Sequence, residues 1–445
     1  MSLQEFGYKE QLNRALTTQD LVIYGMIFML PIAPFAVFGF VWEAAKGMVP
    51  LAYLVGLAGM FFTALSYAAM SRAFPLAGSV YTYAQRGLHE VAGFFSGWLI
   101  LLDYILVPAL LYLFSAVALR PIFPAIPSWI WLVGFISVNA IVNLLGIEFT
   151  ARVNRYMLIM ELATLGLFVV LGLIALHGGA GAGGLTLKPI YDPQAFSWPT
   201  VAAATSIAVL SFLGFDGIST LSEENRGNQN AVGRATVLSL VFVGVLFMLQ
   251  TWVAADLARG MHFASADTAF YEIAERAGGA NLRLVVILAI VIAQAIANAM
   301  AAQAAVSRIL FAMARDGKLP AILATVHPRF RTPYVSTLAV AAVSLLVGLL
   351  FAARVDDLTQ IVNFGALTSF VLLHLSVINH YFRRSGSRDW LRHAVFPSAG
   401  MAIILYVLYE MDRSAKVLGA CWVGAGLLYY VVLSWRSKKP AALGI

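Results

Sequence analysis

Apolar residues do not alternate along this 445-residue chain; they gather in long blocks separated by short polar stretches. The blocks fall at about 20–42, 49–71, 92–119, 127–147, 156–177, 199–220, 233–256, 283–310, 334–353, 358–382, 394–411 and 415–435. Roughly 20 apolar residues suffice to carry a helix across a hydrocarbon core of about 30 Å. The pattern therefore predicts an all-α polytopic membrane protein with 12 transmembrane helices, flanked by short polar ends at 1–19 and 436–445. The polar, mixed-charge start has no short apolar core followed by a small-residue cleavage site, so no cleavable signal peptide is expected.

Composition supports that reading. Hydrophobic residues make up 61% of the chain and charged residues 11%, against about 25% charged in a soluble protein. The single cysteine, Cys421, lies in the last block, which excludes an intrachain disulfide or a cysteine-ligated metal site. A net charge of +7 does not point to nucleic acid, because the basic residues sit in short loops between apolar blocks. With the N-terminus inside, 20 of the 29 Lys and Arg residues fall on the cytoplasmic side and 9 outside. The inner set includes Arg72, Arg86, Arg152, Arg155, Arg308, Arg315, Lys318, Arg329, Arg331, Arg383, Arg384, Lys438 and Lys439. That asymmetry predicts both termini in the cytoplasm.

Two blocks are interrupted at corresponding places. The first carries Pro31-Ile32-Ala33-Pro34-Phe35 near its middle, and two prolines three apart oppose continuous helix. The sixth carries Gly214-Phe215-Asp216-Gly217. The glycine-rich stretch 177–184, expected to be a flexible outer linker, separates the first ten blocks into two sets of five, 20–177 and 199–382. An odd number gives the sets opposite orientation, as an inverted repeat requires. Blocks 394–435 then add two peripheral helices. Either break alone is compatible with a mere kink, but the matched pair points to a binding site where irregular backbone faces a wet cavity. The outer loop at 257–282 holds Phe270, Ile273 and Ala274 on one helical face, the pattern of an interfacial lid helix.

An acid inside a span costs at least about 2.5 kcal/mol, so each needs a reason. Asp216 lies within the second break, Asp103 and Tyr104 in the third block, Glu161 in the fifth, and Glu223 and Glu224 end the sixth. No Lys or Arg is expected at mid-span, so the embedded charge reads as wholly negative and suits a cationic substrate or a proton relay. The structural alternatives are a hydroxyl or helix-end partner for Asp103 and a gate formed by Glu223 and Glu224 with loop arginines. His374 and His380 read as packing or interfacial residues.

The segment Phe74-Pro75-Leu76-Ala77-Gly78-Ser79-Val80-Tyr81-Thr82-Tyr83 resembles the loop after the second span of amino acid–polyamine–organocation permeases, as does Ser307–Pro320 followed by Thr332-Pro333. Within that family the stretches Leu101–Tyr104, Ser211–Asp216, Thr220–Glu224 and Asn363–Leu367 are most similar to bacterial putrescine importers. The resemblance covers essentially the whole chain and is specific for the family; for the substrate it is suggestive. It implies a LeuT-like 5+5 inverted repeat with discontinuous helices 1 and 6, in the bacterial inner membrane. Substrate would bind between the two breaks.

Two departures from the family pattern matter. Amino-acid members hold the substrate carboxylate on the amides of a glycine-rich first break, whereas here Pro31 and Pro34 supply no N–H and no glycine lies between Gly25 and Gly39. A substrate with amines and no carboxylate fits better. Glu161 stands where many members carry Lys; proton coupling is expected through it, with helix capping or a substrate contact as rivals.

The expected function is proton-coupled import of putrescine or a similar small diamine. The expected substrate-binding residues are Asp216, Tyr104, Asp103, Ala33, Phe35, Phe212, Gly214 and Phe215, with Glu161, Glu223 and Glu224 as proton-coupling candidates. The proton is the coupling ion, and no other cofactor or metal is expected. The partners are a small cation and the lipid bilayer, with the oligomeric state open. The alternative is a proton-coupled amino-acid permease or an amino acid/amine exchanger. A membrane enzyme is disfavoured: the seven histidines are scattered and no HExxH or Gly-x-Ser-x-Gly occurs.

Overall fold

The computed structural model describes residues 11–437, except 120–122, 124, 146, 229, 267, 352–354 and 412. Residues 1–10 and 438–445, including Lys438 and Lys439, lie outside the described residues. The first block is divided into α1 (Thr18–Met29) and α2 (Pro34–Ala44), bent by 51°. Then follow α3 (Val49–Ala73), α4 (Ser79–Gly87), α5 (Glu90–Ala118), α6 (Ser128–Leu144) and α7 (Ile147–His177). The sixth block is α8 (Trp198–Ala208) continued by two 3-10 stretches, Val209–Phe212 and Phe215–Glu224. After it come α9 (Ala231–Leu257), α10 (Ala269–Ile292), a π-helical turn Ala293–Asn298 and α11 (Ala299–Arg315). The last helices are α12 (Tyr334–Leu350), α13 (Val355–Val377), α14 (Phe396–Glu410) and α15 (Arg413–Ser437).

Among the described residues, nine helical stretches are long and apolar enough to cross a bilayer, or ten with the bent pair counted as one. The helices α6 and α12, 17 residues each, extend about 25 Å at 1.5 Å per residue, somewhat less than a full hydrocarbon core.

The breaks have distinct local causes. At the first, Leu30 takes a left-handed φ of 57°, unusual for a residue with a side chain, and Pro34 opens α2 where a missing N–H costs nothing. The carbonyl of Pro31 accepts a 2.9 Å bond from Nε2 of buried Gln250 on α9. At the second, Gly214 has φ +117°, and a Cβ there would lie 2.7 Å from the Phe28 carbonyl oxygen. The ten residues after it form a 3-10 helix, longer than such runs usually are. Its hydroxyls explain this: Ser219, Thr220 and Ser222 each donate at 2.6 Å to the carbonyl three residues earlier, which favours the tighter turn. The halves pair crosswise, α1 along Phe215–Glu224 and α2 along α8.

Three expectations change. The glycine-rich stretch is tied down: Ala182 N–H donates to the Asp256 carbonyl at 3.0 Å, and the Asp256 carboxylate accepts the Thr186 N–H and hydroxyl, both at 2.7 Å. Gly181, at φ +59°, sits so close to that carbonyl that a Cβ would be 2.2 Å from it. The segment after the second block is not merely a loop, since α4 starts at Ser79 and Tyr81 binds Asp316 across to the end of α11 at 2.7 Å. The interior is not wholly acidic either. Arg308 is buried within α11, because its guanidinium finds both a carboxylate, Glu224, and the Ala304 carbonyl.

One end of the bundle joins Asp20 to Arg155, Gln11 to Arg331, and Glu90 to Lys318. There Leu16 bridges to Asn225 beside the end of the second 3-10 stretch. The opposite end carries the 178–186 stretch, Asp256 and the start of α10.

Candidate functional site

Asp216 is fully buried at the second break. The Tyr104 hydroxyl of α5 donates to its Oδ2, and the Gly214 N–H donates to its Oδ1 at 3.2 Å. Tyr67 of α3 lies nearby, its hydroxyl accepting a 3.4 Å bond from Ser79. Phe28, in the last turn of α1, stacks on Tyr104 with centroids 5.8 Å apart. On the other side Phe215 and Phe370 meet Tyr67 edge-on, each at 5.8 Å. The carboxyl thus sits where both breaks meet, walled by aromatic rings with acceptor faces for a cation.

Asp103, next to Tyr104, is buried, and its Oδ1 has no hydrogen-bond partner among the described residues. Gly365 of α13 makes room here, since a Cβ on it would lie 2.4 Å from the Leu99 carbonyl and 3.4 Å from the Asp103 nitrogen. Glu161 is buried on α7 with neither oxygen partnered. None of the ion pairs among the described residues involves Asp103, Glu161 or Asp216. Nor does any group of three or more His, Cys, Asp or Glu among them assemble a metal site.

Glu223 and Glu224 behave otherwise. Glu223 forms a two-pronged pair with Arg315 at 2.9 and 3.0 Å and accepts the Ala77 N–H at 3.0 Å. Glu224 pairs with Arg308 in the interior. Each carboxylate is engaged by a guanidinium, which ties the sixth block to α11. His374 is buried between two α3 hydroxyls, Ser66 at 2.9 Å and Thr63 at 3.2 Å.

At the opposite end, Phe270 stacks on Phe35 with centroids 4.0 Å apart and also meets Phe168 at 4.7 Å. The helix 269–277 that carries Phe270 ends at Gly278 and Gly279, both outside helical geometry. Arg276 pins it by donating to the Leu257 and Arg259 carbonyls, each at 3.0 Å.

The residues named from sequence therefore divide. Asp216, Tyr104, Gly214, Phe215 and Asp103 lie around the meeting of the breaks. Phe35 belongs to the cluster under the 269–277 helix, and Phe212 packs against Tyr53 and Phe247 at 5.9 and 5.1 Å. Ala33 caps α2 and its N–H is bound to the Leu30 carbonyl at 2.7 Å. Phe28, Tyr67 and Gln250 were not legible as site residues. Phe28 lies three residues before Pro31, but Tyr67 and Gln250 come from other blocks and carry no local signal.

Comparison with known proteins agrees with this architecture. The sequence matches the amino acid permease family over residues 18–432. It is 31% identical to the low-affinity putrescine importer PlaP of Escherichia coli (strain K12), over 97% of this chain and 96% of the relative. The branched-chain amino acid permease BcaP of Bacillus subtilis (strain 168) is 26% identical over 97% of this chain and 95% of its own. The methylthioribose transporter of the same organism is 25% identical over 96% and 94%. A family model that matches residues 18–432 and a relative 31% identical over 97% of the chain lead to one conclusion: this protein belongs to the amino acid permease family.

Proposed function

We propose that this permease imports putrescine or a similar small diamine across the bacterial inner membrane by proton-coupled alternating access. The observation that carries the reading is the Asp216 carboxyl, oriented by Tyr104 and Gly214 and joined to no protein cation among the described residues. An ammonium group would supply its counter-charge, since a carboxylate in the interior demands one. Asp103 stands next to Tyr104 as the site for the second ammonium, with Phe28 and Tyr67 beside the alkyl chain.

The first break argues against a carboxylate-bearing substrate. Its prolines lack N–H groups, and the amides of Leu30, Ala33 and Phe35 are spent on the carbonyls of Ile27, Leu30 and Ile32. Few donors remain for an anion. The relative described as a putrescine importer supports the same choice.

The crosswise pairing of the broken helices supports a LeuT-like 5+5 inverted repeat, and α6 and α12 complete twelve spans when each crosses. The charge asymmetry supports both termini in the cytoplasm. The Glu223–Arg315 and Glu224–Arg308 pairs then close the inner side, and Phe270 over Phe35 closes the outer side. A divalent amine entering an inside-negative cell gains about 2.3 kcal/mol per charge per 100 mV, and Glu161 adds proton coupling.

A second reading, a proton-coupled amino-acid permease or amino acid/amine exchanger, is favoured by the likeness to a branched-chain amino acid permease. Labelled putrescine uptake into proteoliposomes under imposed pH and voltage gradients separates the two. The diamine reading expects uptake that excess unlabelled putrescine blocks, α-amino acids do not, and Asp216→Asn abolishes. Strong competition by neutral amino acids together with a harmless Asp216→Asn would overturn it.

A further inference from the structure

Asn154 and Glu161 lie seven residues apart on α7, two turns along one face and about 10 Å apart at 1.5 Å per residue. Both are buried, and all four of their side-chain polar atoms lack a hydrogen-bond partner among the described residues. Buried polar atoms are rarely left so, and ordered water is the usual partner where protein supplies none. The next residue, Arg155, pairs with Asp20 at 3.0 Å and is half exposed, which marks the surface at that end. Two turns beyond Glu161 the same face presents Phe168, which packs under Phe35 and Phe270. The face therefore carries two unpartnered polar groups toward the Asp20 end, with Leu158 between them, and is plugged by rings toward the other.

We propose that Asn154 positions a file of water joining the Glu161 carboxyl to solution at the Asp20–Arg155 end, and that the transported proton leaves by this route. The Glu161 acid gives its proton to the first water, hops along the file carry the charge outward, and the carboxylate stays behind. Asn154 orients the file by accepting through Oδ1 and donating through Nδ2. The inference rests on proton coupling at Glu161.

Among the described residues no other group competes for that role. The α1 helix offers Asp20, held by Arg155, and Tyr24, whose hydroxyl binds the Ala301 carbonyl. On α9, Arg234 is exposed and Asp256 is bound to Thr186. The charged residues of α10, Glu272, Glu275, Arg276 and Arg283, lie at the plugged end or engage one another there. Glu43 of α2 is exposed, and neither α6 nor segment 293–298 carries a charge.

The test uses the full-length protein in phospholipid vesicles containing a pH dye, with putrescine as probe. Asn154→Leu should slow putrescine-driven proton movement and net uptake at least ten-fold, while putrescine counterflow, which needs no proton release, stays within two-fold. Asn154→Ser, still able to bind water, should keep at least a third of the proton rate. Wild-type proton movement in Asn154→Leu, or an equal loss of counterflow, overturns the proposal. When Glu161→Gln stops proton movement and Asn154→Leu does not, the relay alone fails. When Glu161→Gln leaves it intact, the coupling role of Glu161 fails and the relay with it.

Discussion

The Tyr104 hydroxyl of α5 donates to Oδ2 of Asp216, joining an unbroken helix to the middle of a broken one. Side chains 112 positions apart thereby hold one carboxyl between the two breaks. A hydrogen bond to a charged group contributes about 1.5–3 kcal/mol. Tyr104→Phe should therefore raise the KM for putrescine about ten-fold or more, and Asp216→Asn should abolish uptake. Labelled uptake checks both, with a thermal melt in detergent to show that each variant is folded.

The Glu224–Arg308 pair lies in the interior, where removing one partner strands a charge. Arg308→Met should lower stability by about 3–5 kcal/mol, whereas Arg308→Met combined with Glu224→Met should recover most of that loss. Melting of the purified single and double variants decides the matter. Equal destabilisation by the two would show that packing, not charge, holds this contact.

The closure at Glu223 should loosen without collapse of the fold. Glu223→Gln weakens the contacts to Arg315 and the Ala77 N–H while keeping its shape. In a Cys421→Ser background, a thiol introduced by Ser219→Cys should then react several-fold faster with a water-soluble reagent applied from the Glu223 end. An unchanged labelling rate would mean that the pair does not guard the path.

Gly214 tests the geometry of the second break. At φ +117° with a prospective Cβ 2.7 Å from the Phe28 carbonyl, Gly214→Ala forces both backbone strain and a clash. Its cost should exceed about 1 kcal/mol, and uptake should disappear with it. A Gly217→Ala variant makes a useful comparison, because a Cβ there would clash with the Phe28 ring at 2.4 Å without any left-handed φ to strain. Uptake and melting temperature report on both.

Much of this architecture is written in one dimension. Block length and the shortage of charge specify a membrane bundle, because an apolar helix of about 20 residues has no other stable solvent. Pro31 and Pro34 mark the first break by removing backbone donors, and Gly214 marks the second by permitting a left-handed turn. An acid flanked by glycines at that turn, Asp216, is conspicuous for its cost. These are local effects and can be read without neighbours.

Other features depend on what faces what. The partner of Asp216 is set by the approach of α5, that of the Pro31 carbonyl by Gln250 on α9, and the burial of Arg308 by Glu224 arriving from another block. Phe35 reads as a site residue from its place beside a proline, yet tertiary packing puts it under Phe270. The glycine-rich stretch looks free in sequence and is held by Asp256. Sequence determined where the backbone departs from helix, since that is a property of single residues. Only the tertiary structure decided which polar groups satisfy one another and which, like Glu161 and Asn154, have no partner among the described residues, because pairing is a property of distance in space.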